Sequence, residues 1–499
     1  MRKIIAGLTM IVLLSTFPAF AASPSKKTAI SDDTRNCLDC HREVSPGLVK
    51  DWEAGRHAQT TPGEGLKKSR LDRRVSTEKI PAPLARNAVG CAECHTLNPA
   101  RHQDSFEHNG YQIHTVVTKE DCAVCHSEEV KQYGHNLMSH AYGNLMNNPV
   151  YRSLAEDVNA TGSFREGVLQ LTKPDARSES DSCLFCHGTV VAVKGFKNRN
   201  TSQGEMNFPV LSGWPNQGVG RINPDGSFGS CAACHPRHGF SIEAARRPFT
   251  CAKCHKGPDV PAYPVYEVSR HGTQQASLNR KRNFNNVPWQ VGRDFTAPTC
   301  ASCHVSLMVG EGKQVLAERT HRMNDRLPWR LFGLIYAHPH PKSADTTIIK
   351  NKAGQPLPTD FNGEPAAPFL IDRQEQERRL KTLQKVCLSC HSRSWVEGHF
   401  QRFEETIRTS NQMTRAATDV ITAAWNRGFA QGPAQKASPF DEGIEKKWVE
   451  QWLFFGNSTR FASAMMGADY GVFANGRWYL RKNLQDLTEW LSDQERKKK

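Results

Sequence analysis

All sixteen cysteines of this chain fall into eight Cys-x-x-Cys-His motifs, with none left over. They are Cys37-Cys40-His41, Cys91-Cys94-His95, Cys122-Cys125-His126, Cys183-Cys186-His187, Cys231-Cys234-His235, Cys251-Cys254-His255, Cys300-Cys303-His304 and Cys387-Cys390-His391. Two thiols three positions apart can each add to one heme vinyl, while the adjacent imidazole reaches the iron from the proximal side. This is the attachment signature of a c-type heme. Disulfides and zinc sites also use paired cysteines, but neither explains a histidine after every pair when histidine makes up only 20 of 499 residues. The expected cofactor set is therefore eight covalently attached c-type hemes.

Twelve further histidines are available for the distal sides of the irons: His57, His102, His108, His114, His135, His140, His238, His271, His321, His338, His340 and His399. Bis-histidine ligation suits electron transfer, because a six-coordinate iron changes charge with little rearrangement and cannot bind substrate. A catalytic heme needs an open position. Seven conducting hemes would take seven of the twelve and leave the rest for pockets, propionates or surface. Ligation of every iron, giving a non-catalytic electron conduit, is also compatible with this count.

The expected fold class is mainly α, with a heme-packed N-terminal body and long C-terminal helices. Residues 1–21 read as a cleaved secretory signal, with Arg2 and Lys3, an apolar run from Ile4 to Phe17, and the pattern Ala19-Phe20-Ala21. This implies a periplasmic protein cleaved near Ala21. Residues 22–368 hold seven motifs in a polar, basic chain with few long apolar segments, so the hemes themselves act as core. The stretches Thr61 to Asn87 and Pro339 to Pro368 read as long loops or linkers. Residues 369–499 carry the eighth motif and turn helical. Phe403, Ile407, Ser410, Thr414, Ala417, Ile421 and Trp425 step by three or four along one face. Asp441 to about Met466 repeats the pattern with Trp448, Trp452, Phe454 and Phe455, and a third helix is expected from Arg477 to Gln494. Three such helices suit a bundle core or an oligomerisation arm. The net charge of +15 is explained in part by pairing with heme propionates, and nucleic acid is excluded as a partner on that ground.

The eight attachment sites, the helical C-terminal third, and the tracts Cys231-Ala-Ala-Cys-His-Pro-Arg-His238, Ser269-Arg-His271-Gly272 and Thr320-His321 resemble the hydroxylamine oxidoreductase family of octaheme cytochromes. The resemblance covers nearly the whole mature chain and implies a homotrimer. It also implies one five-coordinate heme, the fourth along the chain, as the substrate site. That places catalysis at Cys183, Cys186 and the proximal ligand His187, with the heme of Cys231, Cys234 and His235 as the alternative. By the same resemblance His57, His140, His238, His271 and His321 are distal ligands, and two more come from His102, His108, His114 and His135, of which His108 and His114 are taken.

Members of the family place an Asp-His pair after the sixth motif. Here the chain reads Gly257-Pro258-Asp259-Val260, so Asp259 is retained as proton carrier and the imidazole is lost. Tyr336 resembles a distal-pocket tyrosine, and His338 or His340 could replace the missing imidazole. Tyr470 falls near a tyrosine that, in the ammonia-oxidising branch, cross-links to the catalytic heme of a neighbouring subunit. The implied substrates are small nitrogen compounds. Hydroxylamine would be oxidised to nitric oxide or nitrite, or nitrite or hydroxylamine reduced toward ammonium. The redox partner would be a cytochrome or a quinone-linked membrane protein.

Overall fold

The computed structural model describes residues 28–278 and 282–499, so the expected signal segment lies outside the described residues. Three attachment motifs are single turns of helix, Cys91–His95, Cys183–His187 and Cys300–His304. A helical turn brings positions i, i+3 and i+4 onto one side, which presents both thiols and the imidazole to the same porphyrin. Side chains fix where some of these turns begin. Thr118 accepts a bond from Glu120 N while Asp121 reaches back to Thr118 N, and Thr299 pairs with Ser302 in the same reciprocal way. The first motif sits inside a longer helix, Asp32–Val44, capped by Ser31.

Between these turns the chain forms small antiparallel ribbons that the periodicity reading did not anticipate. Ser105–His108 pairs with Tyr111–His114, Thr161–Arg165 with Val168–Thr172, and Ala192–Thr201 with Gly204–Ser212. The first two turn through Asn109-Gly110 and Glu166-Gly167, all four residues at positive φ. This is the twist a two-residue hairpin requires, and Asn-Gly is its strongest sequence signal. The stretch from Thr61 to Asn87 is not wholly loop, because it contains the short helices Pro62–Leu66 and Ala82–Arg86.

The C-terminal periodicity is realised in full. One helix of 34 residues runs Arg393–Asn426 and buries Phe403, Ile407, Ser410, Thr414, Ala417, Ile421 and Trp425. The next run continues without a break from Gly443–Val449 through a π segment, Glu450–Gly456, into Asn457–Met465. The last helix, Arg477–Lys498, extends past the expected Gln494. Trp425, Trp448, Trp452 and Phe440 interlock with Leu334, Ile335 and Tyr336 in one core cluster, while Phe400, Phe403 and Ile407 pack on Ala337. Through these contacts the long helices hold the strip from Trp329 to His340 in place. Among the described residues no helix is long and apolar enough to cross a membrane.

Candidate active site

Thirteen of the sixteen motif cysteines line a single branched cavity of about 2390 Å³, together with His57, His126, His187, His235, His255, His271, His304, His321, His340, His391 and His399. Thiols from different motifs meet across it: Cys122 bonds with Cys231, Cys186 with Cys254, and Cys251 with Cys300, while Cys37 meets Cys91 nearby. The attachment points therefore abut in pairs. The fourth motif joins the sixth, and the sixth joins the seventh.

The imidazoles fit iron ligation. An iron held between two histidines sets their ring centres roughly 6 Å apart, from two metal–nitrogen bonds of about 2 Å plus the half-width of each ring. His41 and His108 stand at 6.2 Å, His57 and His126 at 6.3 Å, and His271 and His391 at 6.0 Å. His321 is an electrostatic neighbour of His235, and His238 of His95. Backbone carbonyls orient the proximal rings. His187 Nδ1 lies 3.1 Å from the Ala141 oxygen and His304 Nδ1 3.3 Å from the Met323 oxygen, which leaves each Nε2 for iron. Burial pulls His235 and His304 down to about 4, keeping them in the neutral form that ligates metal.

Three sequence expectations, for His114, His140 and Tyr336, meet a different geometry. His114 has its ring centre 6.0 Å from that of His95, but its own carbonyl takes His95 Nδ1 at 2.7 Å. It therefore lies behind the proximal ligand, away from the nitrogen that faces iron. His140 gives its Nε2 to the Gly134 carbonyl at 3.0 Å and lines a separate pocket that no motif cysteine enters. Tyr336 is 1% exposed, donates its hydroxyl to the Phe361 carbonyl at 2.7 Å, and does not line the heme cavity. Burial, the main cause, lifts its hydroxyl to about 12, as suits a structural tyrosine. Tyr470, on the short helix Ala468–Val472, is half-buried and away from the cavity of its own chain, so a cross-link through it requires a second copy. Of the two histidines offered as replacements for the missing imidazole, His340 lines the cavity and His338 does not.

Asp259 and Val260 both line the cavity where the fourth and sixth motifs meet. Asp259 is an electrostatic neighbour of Cys186, His187 and His255. Its backbone is held by the bundle, with Asn457 Nδ2 donating to the Asp259 carbonyl at 2.7 Å and Arg460 Nη2 holding Asn457 Oδ1 at 2.7 Å. The charged neighbours of His187 are Asp259 and Arg330. Arg330 also lines the cavity, and its Nε is anchored on the Phe332 carbonyl at 2.8 Å. The sequence reading passed over Arg330, because a lone arginine in an unpatterned strip carries no signal. Strand pairing sets Arg330 opposite His338.

Cysteine pairs and neutral imidazoles converging on one interior space define a multiheme c-type cytochrome. A family model described as seven-times multihaem cytochrome CxxCH matches residues 225–326. A solved structure described as a hypothetical multiheme protein is 39% identical, covers 95% of this chain and 98% of its own, and superposes with a TM-score of 0.88. The chain belongs to the multiheme c-type cytochromes. A probable nitrite reductase-hydroxylamine oxidoreductase fusion protein from Kuenenia stuttgartiensis is 23% identical over 449 residues, which cover 84% of this chain and 42% of the relative. The chain thus matches less than half the length of that relative. A reducing HAO-like protein complex of the same organism shares the fold, with 17% identity, a TM-score of 0.60, and coverage of 93% of this chain and 85% of that one.

Proposed function

We propose that this chain is a periplasmic octaheme oxidoreductase of small nitrogen compounds, with substrate entering at the heme of Cys183, Cys186 and His187. The carrying observation is that the charged neighbours of His187 are Asp259 and Arg330, whereas His41, His126 and His391 each stand about 6 Å, ring centre to ring centre, from a second imidazole. A heme held by Cys183, Cys186 and His187 would supply iron for the substrate, and the Cys186–Cys254 contact supports electron exchange with a heme held by the sixth motif. The remaining seven hemes conduct, and a cytochrome or quinone-linked protein exchanges electrons with them. The trimer implied by the family remains part of this reading.

The chain's own residues favour reduction of nitrite or hydroxylamine toward ammonium. Arg330 presents a fixed positive charge that attracts anionic nitrite more than neutral hydroxylamine. Asp259, which lines the cavity, carries protons toward the reacting nitrogen, and Val260 supplies no second proton carrier on that loop. Hydroxylamine oxidation is the second reading, favoured by Asp259 as a carboxylate base. The names of the relatives span both directions, nitrite reductase with hydroxylamine oxidoreductase in one and a reducing complex in the other.

Assays with a low-potential donor and with an oxidised cytochrome acceptor test the direction. The expected outcome is donor-driven nitrite reduction in which Arg330→Gln raises KM for nitrite about tenfold or more with a smaller effect on hydroxylamine, and Asp259→Asn lowers kcat. Rapid hydroxylamine oxidation without nitrite reduction would move the assignment to the second reading. If neither activity responds to Asp259→Asn, the placement of the site is wrong.

A further inference from the structure

At the edge of the heme cavity, which Asp121 lines, the hairpin Ser105–His114 closes over a second group of metal-binding side chains. His102, His114, Asp104 and Asp121 have side chains between 0% and 3% exposed. Strand pairing sets His114 opposite Ser105, next to Asp104, and the Thr118 cap holds Asp121 at the start of the third-motif helix. The two imidazoles stack at 3.4 Å. His102 Nε2 stands 3.3 Å and His114 Nε2 3.9 Å from the Asp121 carboxylate, while His102 Nδ1 faces Asp104 at 3.6 Å. One ligand atom from each of His102, His114 and Asp121 lies within 4.8 Å of the others.

Hydrogen bonding within the protein leaves this group unfinished. Both nitrogens of His114, Nδ1 of His102 and Oδ1 of Asp104 are buried without a hydrogen-bond partner. Enclosed polar atoms are rarely left so, and two carboxylates are enclosed beside the two imidazoles. We propose that His102, His114 and Asp121 bind one divalent first-row cation of the zinc type, with Asp104 as the carboxylate that orients His102. Two imidazoles and a carboxylate are a donor set for such ions, and a carboxylate behind the ligating histidine is their usual support. The ion neutralises the two carboxylates. Asp121 lines the heme cavity and neither histidine does. The site nevertheless touches the electron path, because the carbonyl of His114 orients the second-motif ligand His95.

The test uses heme-loaded protein made without a histidine tag, stripped with EDTA, incubated with zinc sulfate, desalted, and analysed for zinc against iron. The expected result is about one retained zinc per chain, with a nitrogen and oxygen shell in zinc-edge X-ray absorption. His114→Phe, which keeps a buried ring, should lose the zinc, and Asp104→Asn should weaken zinc binding about 10- to 100-fold. Negligible zinc in the wild type overturns the site and leaves a proton on His102 as the occupant. So does a sulfur shell, which places zinc on motif cysteines, or full retention by His114→Phe. If His114→Phe does not accumulate, the absorption shell of the wild type and the Asp104→Asn affinity decide the matter.

Discussion

The body, built of short helical turns, hairpins and loops, and the C-terminal bundle of long helices are held together by different means. In the bundle, Trp448 and Trp452 are each 1% exposed and Ile421 is fully buried, so side chains fill the space between helices. In the body, short turns surround a cavity of about 2390 Å³ whose walls carry thiols and imidazoles. A chain with an ordinary core can fold on side-chain burial alone, whereas the body needs its cofactors as filling. The contrast also explains the placement of the site. Asp259 belongs to the cofactor-filled half, but its backbone is pinned by Asn457 and Arg460 from the side-chain-filled half.

The largest test of that contrast is to block heme attachment altogether, by expression without the maturation machinery. Limited proteolysis should then degrade residues 28–368, while the bundle from Arg393 to Lys498 keeps helical circular dichroism. Protease resistance throughout the apo chain would break the comparison. Next in size, Trp448→Ala should cost about 3–5 kcal/mol in denaturant unfolding of the bundle, with the heme absorption bands unchanged at low denaturant.

A smaller effect comes from Glu445, a 0% exposed carboxyl in the bundle that accepts bonds from Trp425 Nε1 at 2.8 Å and from Glu442 N at 3.0 Å. Burial raises it from 4.5 to about 7 against the pull of those bonds. The folded state then holds a proton that the unfolded chain releases. Bundle stability should therefore be full below pH 4.5, fall as pH rises through 4.5 to 7, and level off above. Unfolding midpoints across this window check the sign, and Glu445→Gln should flatten the decline. Stability rising with pH in that range would contradict the buried, proton-holding carboxyl.

What could be read from the chain followed the same division. The bundle helices were legible because apolar spacing at three and four is a local signal, and the attachment sites because the motif is local too. The π segment was not, since its widening depends on packing around Trp452 and Phe455 rather than on periodicity. The hairpin carrying His108 was signalled by Asn109-Gly110, a cue that the search for helical periods passed over. His114, His140 and Tyr336 were assigned from matching tracts. Their positions depend on which nitrogen or hydroxyl a distant carbonyl takes, and no spacing encodes that. Arg330 became visible only once the strip from Trp329 to His340 was seen packed between bundle and cavity.

The most direct test of the account is electron spin resonance of the oxidised protein together with the optical change on adding nitrite or cyanide. One open heme at Cys183, Cys186 and His187 predicts a high-spin signal from about one-eighth of the iron. That signal should turn low-spin on ligand binding and disappear in the Cys183→Ser/Cys186→Ser variant, while the other signals stay. A fully low-spin spectrum that does not respond to either ligand would contradict it and leave an electron conduit in place of an enzyme.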